Sequence, residues 1–289
     1  MASETVTGAL ALAKDHGLGR LDAQLLLSHC LGVSRSWVLA HDEAEVDGAM
    51  QAQFSGLVLR RSGGEPLAYL LGEKEFHGLV LKVDPRVLIP RPETEHLADW
   101  GLEVMAHWRI NEATPQVIDL GTGSGAIALA VKSAYPPAQV TAVDASPAAL
   151  RVACANAQRL GLKVNFQLSD WWHGLPQQAF DLALCNPPYI AAADPHLLAL
   201  RHEPLEALMA QEHGLQALRA VVQGAPPCLR PGAWLLLEHG HQQTDDVRRL
   251  FRQFAFVEIE TRRDLAGLER CTGARWLGGV DAARVAARR

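Results

Sequence analysis

Asn186-Pro187-Pro188-Tyr189 follows directly on the apolar run Phe180-Asp181-Leu182-Ala183-Leu184-Cys185. A strand that stops at Asn-Pro-Pro presents one amide side chain, bare carbonyls and a neighbouring ring at its carboxyl end, where open α/β sheets bind ligands. Pro187 and Pro188 contribute carbonyls and no N–H, so the grouping is rich in acceptors and poor in donors. It suits a substrate that arrives with an NH2 group and must be held still while something is added to its nitrogen.

A second group lies upstream. Asp119-Leu120-Gly121-Thr122-Gly123-Ser124-Gly125 sits between a short apolar run and a helical stretch, where glycines let the backbone turn tightly and approach a ligand closely. With Ala126 it satisfies the Gly-x-Gly-x-x-Ala form of the dinucleotide fingerprint, and Asp144 lies at the right distance to take a ribose hydroxyl. On those residues alone a nicotinamide or flavin nucleotide, S-adenosylmethionine and a purely structural turn all stay open. The Gly-x-Gly-x-Gly form, with Asp144 ending the next strand, shifts the balance toward an adenosyl ligand, whose amino acid part needs room rather than a pyrophosphate cradle. Asp170-Trp171 ends a third strand and offers adenine one acceptor and one ring face. Their plainer readings are a turn residue and a core aromatic.

Alternating strands and helices must position these groups. Strands are expected at 117–120, 140–144, 164–168, 180–185 and 233–237, with 256–261 and 274–277 completing the sheet, and helices at 125–135 and 147–160, the latter stopped by Gly161. Such alternation implies a mostly parallel sheet with helices on both faces. Residues 1–75 read instead as a small helical bundle. Leu10, Leu12, Leu18, Leu21 and Leu25 to Leu27 cluster at helical intervals, Val46, Met50, Phe54 and Leu57 repeat the spacing, and Gly8, Gly17, Gly32 and Gly63-Gly64 punctuate it. Through Glu75 this segment carries six basic and ten acidic residues, which suits binding of protein rather than nucleic acid. Between the two parts, 76–92 reads as a β-hairpin connector closing at Pro90-Arg91-Pro92. The division is then 1–75, 76–92, 93–277 and a tail over 278–289.

The 289 residues are 48% apolar and 20% charged, the composition of an ordinary soluble globular protein. A net charge of −5 and a pI near 6.2 supply no cationic field for nucleic-acid phosphates, so no direct nucleic-acid specificity is expected. Met1 to Thr5 lacks the basic-then-apolar pattern of a signal peptide, and no apolar run nears the roughly 20 residues of a membrane span, so a cytoplasmic protein is expected. Cys30, Cys154, Cys185, Cys228 and Cys271 are scattered and read as reduced thiols, while His239-Gly240-His241 reads as loop structure, so no metal site is expected.

Five segments occur in a telling order: Glu65-Pro66-Leu67-Ala68-Tyr69-Leu70-Leu71-Gly72, Val87-Leu88-Ile89-Pro90-Arg91-Pro92-Glu93-Thr94-Glu95, the Asp119-to-Gly125 loop, Asn186-Pro187-Pro188-Tyr189-Ile190 and Leu237-Glu238-His239-Gly240. In this the chain resembles the peptide chain release factor glutamine methyltransferases, the HemK or PrmC family, over nearly its whole length. Asn-Pro-Pro-Tyr alone is shared with DNA and RNA amino methyltransferases, which leaves adenine or cytosine methylation as the alternative; the Ile89-to-Glu95 segment is far more selective. The resemblance implies a class I S-adenosylmethionine-dependent methyltransferase fold, Rossmann-like with a seven-stranded, mostly parallel sheet. It implies methyl transfer from S-adenosylmethionine to the glutamine amide of the Gly-Gly-Gln motif in translation release factors. Gly121, Thr122, Gly123, Ser124, Gly125, Asp144, Asp170, Trp171 and Asn186 would then lie at the cofactor, and Asn186, Pro187, Pro188 and Tyr189 at the glutamine. One departure stands near the loop Ala210 to Gly214, where Ala210-Gln211-Glu212-His213 replaces the glycines that the family often has.

The chemistry needs few groups. An amide nitrogen is a weak nucleophile because its lone pair is shared with the carbonyl, and positioning must supply much of the rate. With Asn186 Oδ1 and the Pro187 carbonyl accepting the two amide hydrogens, the lone pair turns toward the methyl and developing positive charge is stabilised, while Tyr189 packs on the flat amide. The methylated nitrogen is acidic enough to lose its proton to any acceptor, so neither Glu203 nor Glu238 is assigned a catalytic role. Arg91, Glu93 and Thr94 either shape the pocket or cap the helix that begins near Glu93.

Overall fold

Apolar runs of four to six residues, bounded by turn formers and buried on both faces, form the centre of the sheet. In a computed structural model, which describes residues 4–107, 114–177, 179–192 and 194–278, the strands are β1 (Gln116–Leu120), β2 (Gln139–Asp144), β3 (Asn165–Leu168), β4 (Phe180–Cys185), β5 (Leu229–Glu238), β6 (Val257–Arg263) and β7 (Glu269–Arg275). They lie in the order β6-β7-β5-β4-β1-β2-β3. Pairing is parallel from β5 through β4, β1 and β2 to β3, and antiparallel at β7 with both β5 and β6. This is the fold of a class I methyltransferase. The expected tail beyond residue 278 lies outside the described residues.

The chain runs outward from β1 to β3 and then returns to β4 on the other side of β1, so β1 and β4 flank the switch point where open α/β sheets leave a crevice at their carboxyl ends. Two apolar layers hold the sheet in place. One face buries Trp100, Met105, Leu129 and Val131 of the helices Pro92–His107 and Ala126–Ala134. The other buries Leu218, Val221, Val247 and Phe251 of Gln216–Gly224 and Thr244–Gln253.

Chain contacts divide the molecule into two units, Met1–Lys74 and Glu75–Arg289. The first holds the helices Val6–Asp15, Arg20–Leu31, Arg35–Ala40, Gly48–Ser62 and Leu67–Leu71 around Leu26, Leu27, Phe54 and Val58. Leu21 and Met50 fit the expected spacing but are 53% and 38% exposed. Gly8 is no punctuation point either, since Thr5 caps the first turn across it by accepting the Gly8 N–H.

Three element bounds differ from expectation. The hairpin pairs Glu73–Phe76 with Leu79–Lys82 around His77-Gly78, and Val87-Leu88-Ile89 forms no strand, because the Ile89 N–H goes to the Glu203 carboxylate at 3.0 Å rather than to a neighbouring strand. β5 begins at Leu229 and tolerates Pro231-Gly232 through a register shift before Trp234. β7 begins at Glu269, and its Arg270 and Gly273 hide a strand that burial between β5 and β6 imposes.

Candidate active site

Strand register brings the singled-out residues side by side. Leu120 of β1 pairs with Val143 of β2 and with Cys185 of β4, and Cys185 pairs with Leu237 of β5. Asp144, Gly121, Asn186 and Glu238 are each one residue further on, so they form a row along the carboxyl edge of four adjacent strands. Groups scattered over about a hundred residues of sequence thereby share one crevice.

The glycine loop is held from behind. Gly121 and Thr122 both donate to the Val143 carbonyl at 2.9 Å, and Asp119 accepts the Thr122 hydroxyl at 2.7 Å and the Ala128 N–H at 3.1 Å. Buried Asn156 donates to the Ser124 carbonyl and exchanges hydrogen bonds with Lys82 of the hairpin. Burial pushes the Asp119 carboxyl up to about 7 against the pull of those two donors. Gly121 has φ +71°, and a Cβ there would stand 3.3 Å from the Trp171 ring, so only glycine allows this close approach.

Asp144 faces the crevice. Its Oδ2 accepts the Gly123 N–H at 2.9 Å and its Oδ1 the Ser146 N–H at 2.8 Å, which leaves lone pairs on both oxygens for a diol. Burial raises its carboxyl, and these two N–H groups oppose the rise. Trp171 sits in the left-handed region at φ +49°, an uncommon place for a bulky side chain. Ser169 Oγ lies 2.9 and 2.8 Å from the Trp171 and His173 carbonyls and pins that turn. Trp172 is the core aromatic of the pair, buried with its indole N–H on the Val221 carbonyl.

Two cavities open on this row. The larger, about 450 Å³, is lined by Gly121, Gly123, Asp144, Asp170 and Trp171 as well as Asn186 and Pro188. Thr122, Ser124 and Gly125 do not line it: the Thr122 hydroxyl is turned onto Asp119, and Ser124 is 2% exposed. The smaller, about 290 Å³, takes in Asn186, Pro187, Pro188 and Tyr189 together with Glu238 and Arg270. Asn186 and Pro188 belong to both, so the end of β4 is the wall through which the two cavities meet.

The smaller cavity holds charged groups of both signs, Arg91 and Arg270 beside Glu93 and Glu238. Asn186 Nδ2 donates to Thr94 Oγ1 at 3.0 Å, which leaves Oδ1 as the end of the amide without a partner among the described residues. The Tyr189 hydroxyl donates to Glu238 Oε1 at 3.0 Å. Burial raises the Glu238 carboxyl, while the Thr94 and Tyr189 hydroxyls and then Arg270 pull it down. Burial and Glu238 push the Tyr189 phenol above its ordinary value, so it stays neutral. Arg91 pairs with Glu203 at 2.5 Å, linking the segment ahead of the helix Pro92–His107 to the loop that supplies Leu200, Ala207 and Leu208 to the cavity.

Thr94 thus caps no helix end with its side chain but touches the Asn186 amide, and Glu93 and Arg91 line the smaller cavity. Glu238 shows in the sequence as the end of an apolar strand and as part of the Leu237-to-Gly240 segment, neither of which says what it touches; Arg270 carries no local signal at all. In the loop that departs from the family, Gln211–Gly214 forms one helical turn, and a Cβ on Gly214 would run into the Tyr189 carbonyl. The glycine that matters to the site is therefore present. Among the described residues no group of three or more His, Cys, Asp or Glu could hold a metal ion, and His239 is engaged by Thr272 at 2.7 Å.

Comparison with known proteins agrees with this geometry. A family model for the PrmC N-terminal domain matches residues 6–72, and one for the methyltransferase small domain matches residues 95–202. The release factor glutamine methyltransferase of Bordetella pertussis is 49% identical over 265 residues, 91% of this chain and 97% of that protein. That of Coxiella burnetii is 44% identical, covering 89% and 91%, and that of Escherichia coli 41%, covering 89% and 92%. Among solved structures, the hMettl16 catalytic domain in complex with MAT2A 3′UTR hairpin 6 superposes with a TM-score of 0.55 at 14% identity over 82% of this chain and 86% of that one. A methyltransferase from Pyrococcus furiosus gives 0.51 at 16% identity over 70% and 90%; both likenesses concern the fold.

Proposed function

Because this chain belongs to the release factor glutamine methyltransferase family, and is therefore an enzyme, we propose that it methylates the side-chain amide nitrogen of the glutamine in the Gly-Gly-Gln motif of translation release factors, using S-adenosylmethionine, in the cytoplasm. The observation that carries this reading is the shared wall: Asn186 and Pro188 line both a cavity edged by Asp144, Gly121 and Trp171 and a second, smaller one. A transfer between two bound molecules needs such a junction, with the acceptor groups standing in it.

The residues of the larger cavity fit an adenosyl group. Asp144 offers free lone pairs to ribose hydroxyls, Trp171 a ring face and Asp170 an acceptor to adenine, and the glycine at 121 leaves room for close approach. Bound there, S-adenosylmethionine supplies an electrophilic methyl group. Everything else is the work of this chain. Asn186 Oδ1 and the Pro187 carbonyl accept the two hydrogens of the glutamine amide and so orient its lone pair. Tyr189, neutral and fixed by Glu238, packs on the amide plane. The segments 1–75, 76–92 and 93–277 would serve as recognition module, connector and catalytic domain.

The test is incubation with labelled S-adenosylmethionine and a release factor. Label enters the factor, is lost when the glutamine of its Gly-Gly-Gln loop is replaced, and is lost with Asn186→Ala enzyme. Label persisting in the glutamine-substituted factor, or appearing in naked nucleic acid and not in the factor, would overturn the proposal.

A further inference from the structure

Glu238 is an acid the proposed transfer does not need as a base, yet it is 1% exposed in the wall of the smaller cavity. It stands one residue beyond Leu237, which pairs with the residue preceding Asn186. The Tyr189 hydroxyl donates to its Oε1 at 3.0 Å, its Oε2 is buried with no hydrogen-bond partner among the described residues, and the Thr94 hydroxyl is close enough to pull its carboxyl down. Thr94, itself 4% exposed, also lies 3.0 Å from Asn186 Nδ2.

A hydroxyl has one proton and two lone pairs. With the Thr94 proton committed to the anion, Thr94 Oγ1 can show Asn186 only a lone pair, and only the NH2 end of the amide pairs with a lone pair. The other end, Oδ1, is then the one left facing the cavities. Without the carboxylate, Thr94 could donate instead, and the amide could rotate to present NH2 to a substrate that itself arrives as NH2. Donor would then face donor.

We propose that Glu238 and Thr94 are positioning residues: the carboxylate orients the Thr94 hydroxyl, Thr94 fixes the Asn186 amide with Oδ1 toward the substrate, and the same carboxylate holds the Tyr189 ring by its hydroxyl. One buried anion thereby sets two walls of the amide site. Arg270, which also lines the cavity, keeps positive charge near this anion, while Glu93 opposes it. This relay deepens the methyl-transfer reading and rests on it for its kinetic consequence, though not for its geometry.

The experiment compares Thr94→Val, Thr94→Ser and Glu238→Gln with the wild type. Thr94→Val removes the hydroxyl at nearly constant volume and lowers kcat toward release factor roughly 10- to 100-fold, the range for one misdirected buried amide. KM for the factor stays near wild type, because the amide is a small part of a protein contact, and Thr94→Ser recovers turnover. Glu238→Gln, which can donate as well as accept, lowers kcat in the same way. A second readout needs no turnover. The chain has four asparagines, so in protein labelled with 15N-asparagine the Asn186 side-chain NH2 signal is identified by its disappearance in Asn186→Ala. That signal moves in Thr94→Val and Glu238→Gln and stays in place in Thr94→Ser. An unmoved signal in Thr94→Val, or a serine variant as slow as the valine one, overturns the relay. A wild-type protein that leaves release factor unlabelled overturns the functional reading instead, and the NH2 signal still decides the relay.

Discussion

Replacing Arg91 by alanine should destabilise the larger unit more than replacing its partner Glu203 by glutamine, although Arg91 is the more exposed of the two. The side chain of Arg91 is 33% exposed and that of Glu203 only 2%. Glu203 Oε1 accepts from Arg91 at 2.5 Å and Oε2 accepts the Ile89 N–H at 3.0 Å. Arg91→Ala strands a carboxylate in the interior with one backbone N–H for company; breaking a buried pair from one side costs about 3–5 kcal/mol, and the surviving N–H puts this case near about 3. Glu203→Gln keeps an oxygen for Ile89 and leaves the guanidinium free to turn to water, at a cost of about 1–2 kcal/mol. For a unit of this size about 3 kcal/mol lowers Tm by roughly 6–12 °C. Thermal and urea unfolding followed by tryptophan fluorescence reports this directly, since six of the seven tryptophans lie beyond residue 75. The double variant should fall short of the sum by about 1–2 kcal/mol, as two contacting groups do. A loss below about 1 kcal/mol for Arg91→Ala, one smaller than that of Glu203→Gln, or strict additivity would refute the reasoning. Turnover should fall in parallel, because this pair ties down the loop carrying Leu200, Ala207 and Leu208.

Two further outcomes follow from the glycine loop. Gly121→Ala places a side chain at φ +71° and 3.3 Å from the Trp171 ring; the left-handed backbone alone costs about 1–2 kcal/mol, so the protein stays folded by circular dichroism while affinity for S-adenosylhomocysteine, measured by calorimetry, drops, and unchanged affinity would count against Gly121 at the cofactor. Asp119 is raised by burial from 3.8 to about 7, so the folded chain keeps a proton there that the unfolded chain has lost. The stability tied to that proton is complete below about pH 4 and gone above about pH 7, a loss of roughly 4 kcal/mol. Asp119→Asn cannot ionise, so its Tm should gain on the wild type as pH rises through that window; parallel Tm profiles would contradict the assignment.

Much of the candidate site's framework is legible in the sequence. The strand ending at Asn186, the loop at Gly121, the helix halted by Gly161 and the carboxylate at Asp144 all announce themselves by local pattern, because element type and turn chemistry are short-range properties of the chain. The ordered motifs carried the family. What local pattern misjudged was local only in appearance: Val87-Leu88-Ile89 looks like a strand and is not one, since its backbone N–H belongs to Glu203 over a separation of 114 residues. Leu21 and Met50 keep helical spacing yet face outward, because spacing defines a stripe without saying which neighbour covers it.

The sequence by itself determined which groups this protein possesses: an amide between carbonyls, a glycine turn, a strand-end carboxylate and an aromatic pair. Only the tertiary structure decided that they meet. Register across the sheet aligns Leu120 with Val143 and Cys185, and Cys185 with Leu237, and a slip of one residue would turn every side chain to the opposite face. That alignment also brings in Glu238 and Arg270, and the helix packed on the sheet brings in Thr94. Glu238 and Thr94 belong to segments that mark the family without saying what they touch, and Arg270 belongs to none, since pairing between distant strands depends on which apolar faces can be buried together, a property of the whole core rather than of any segment.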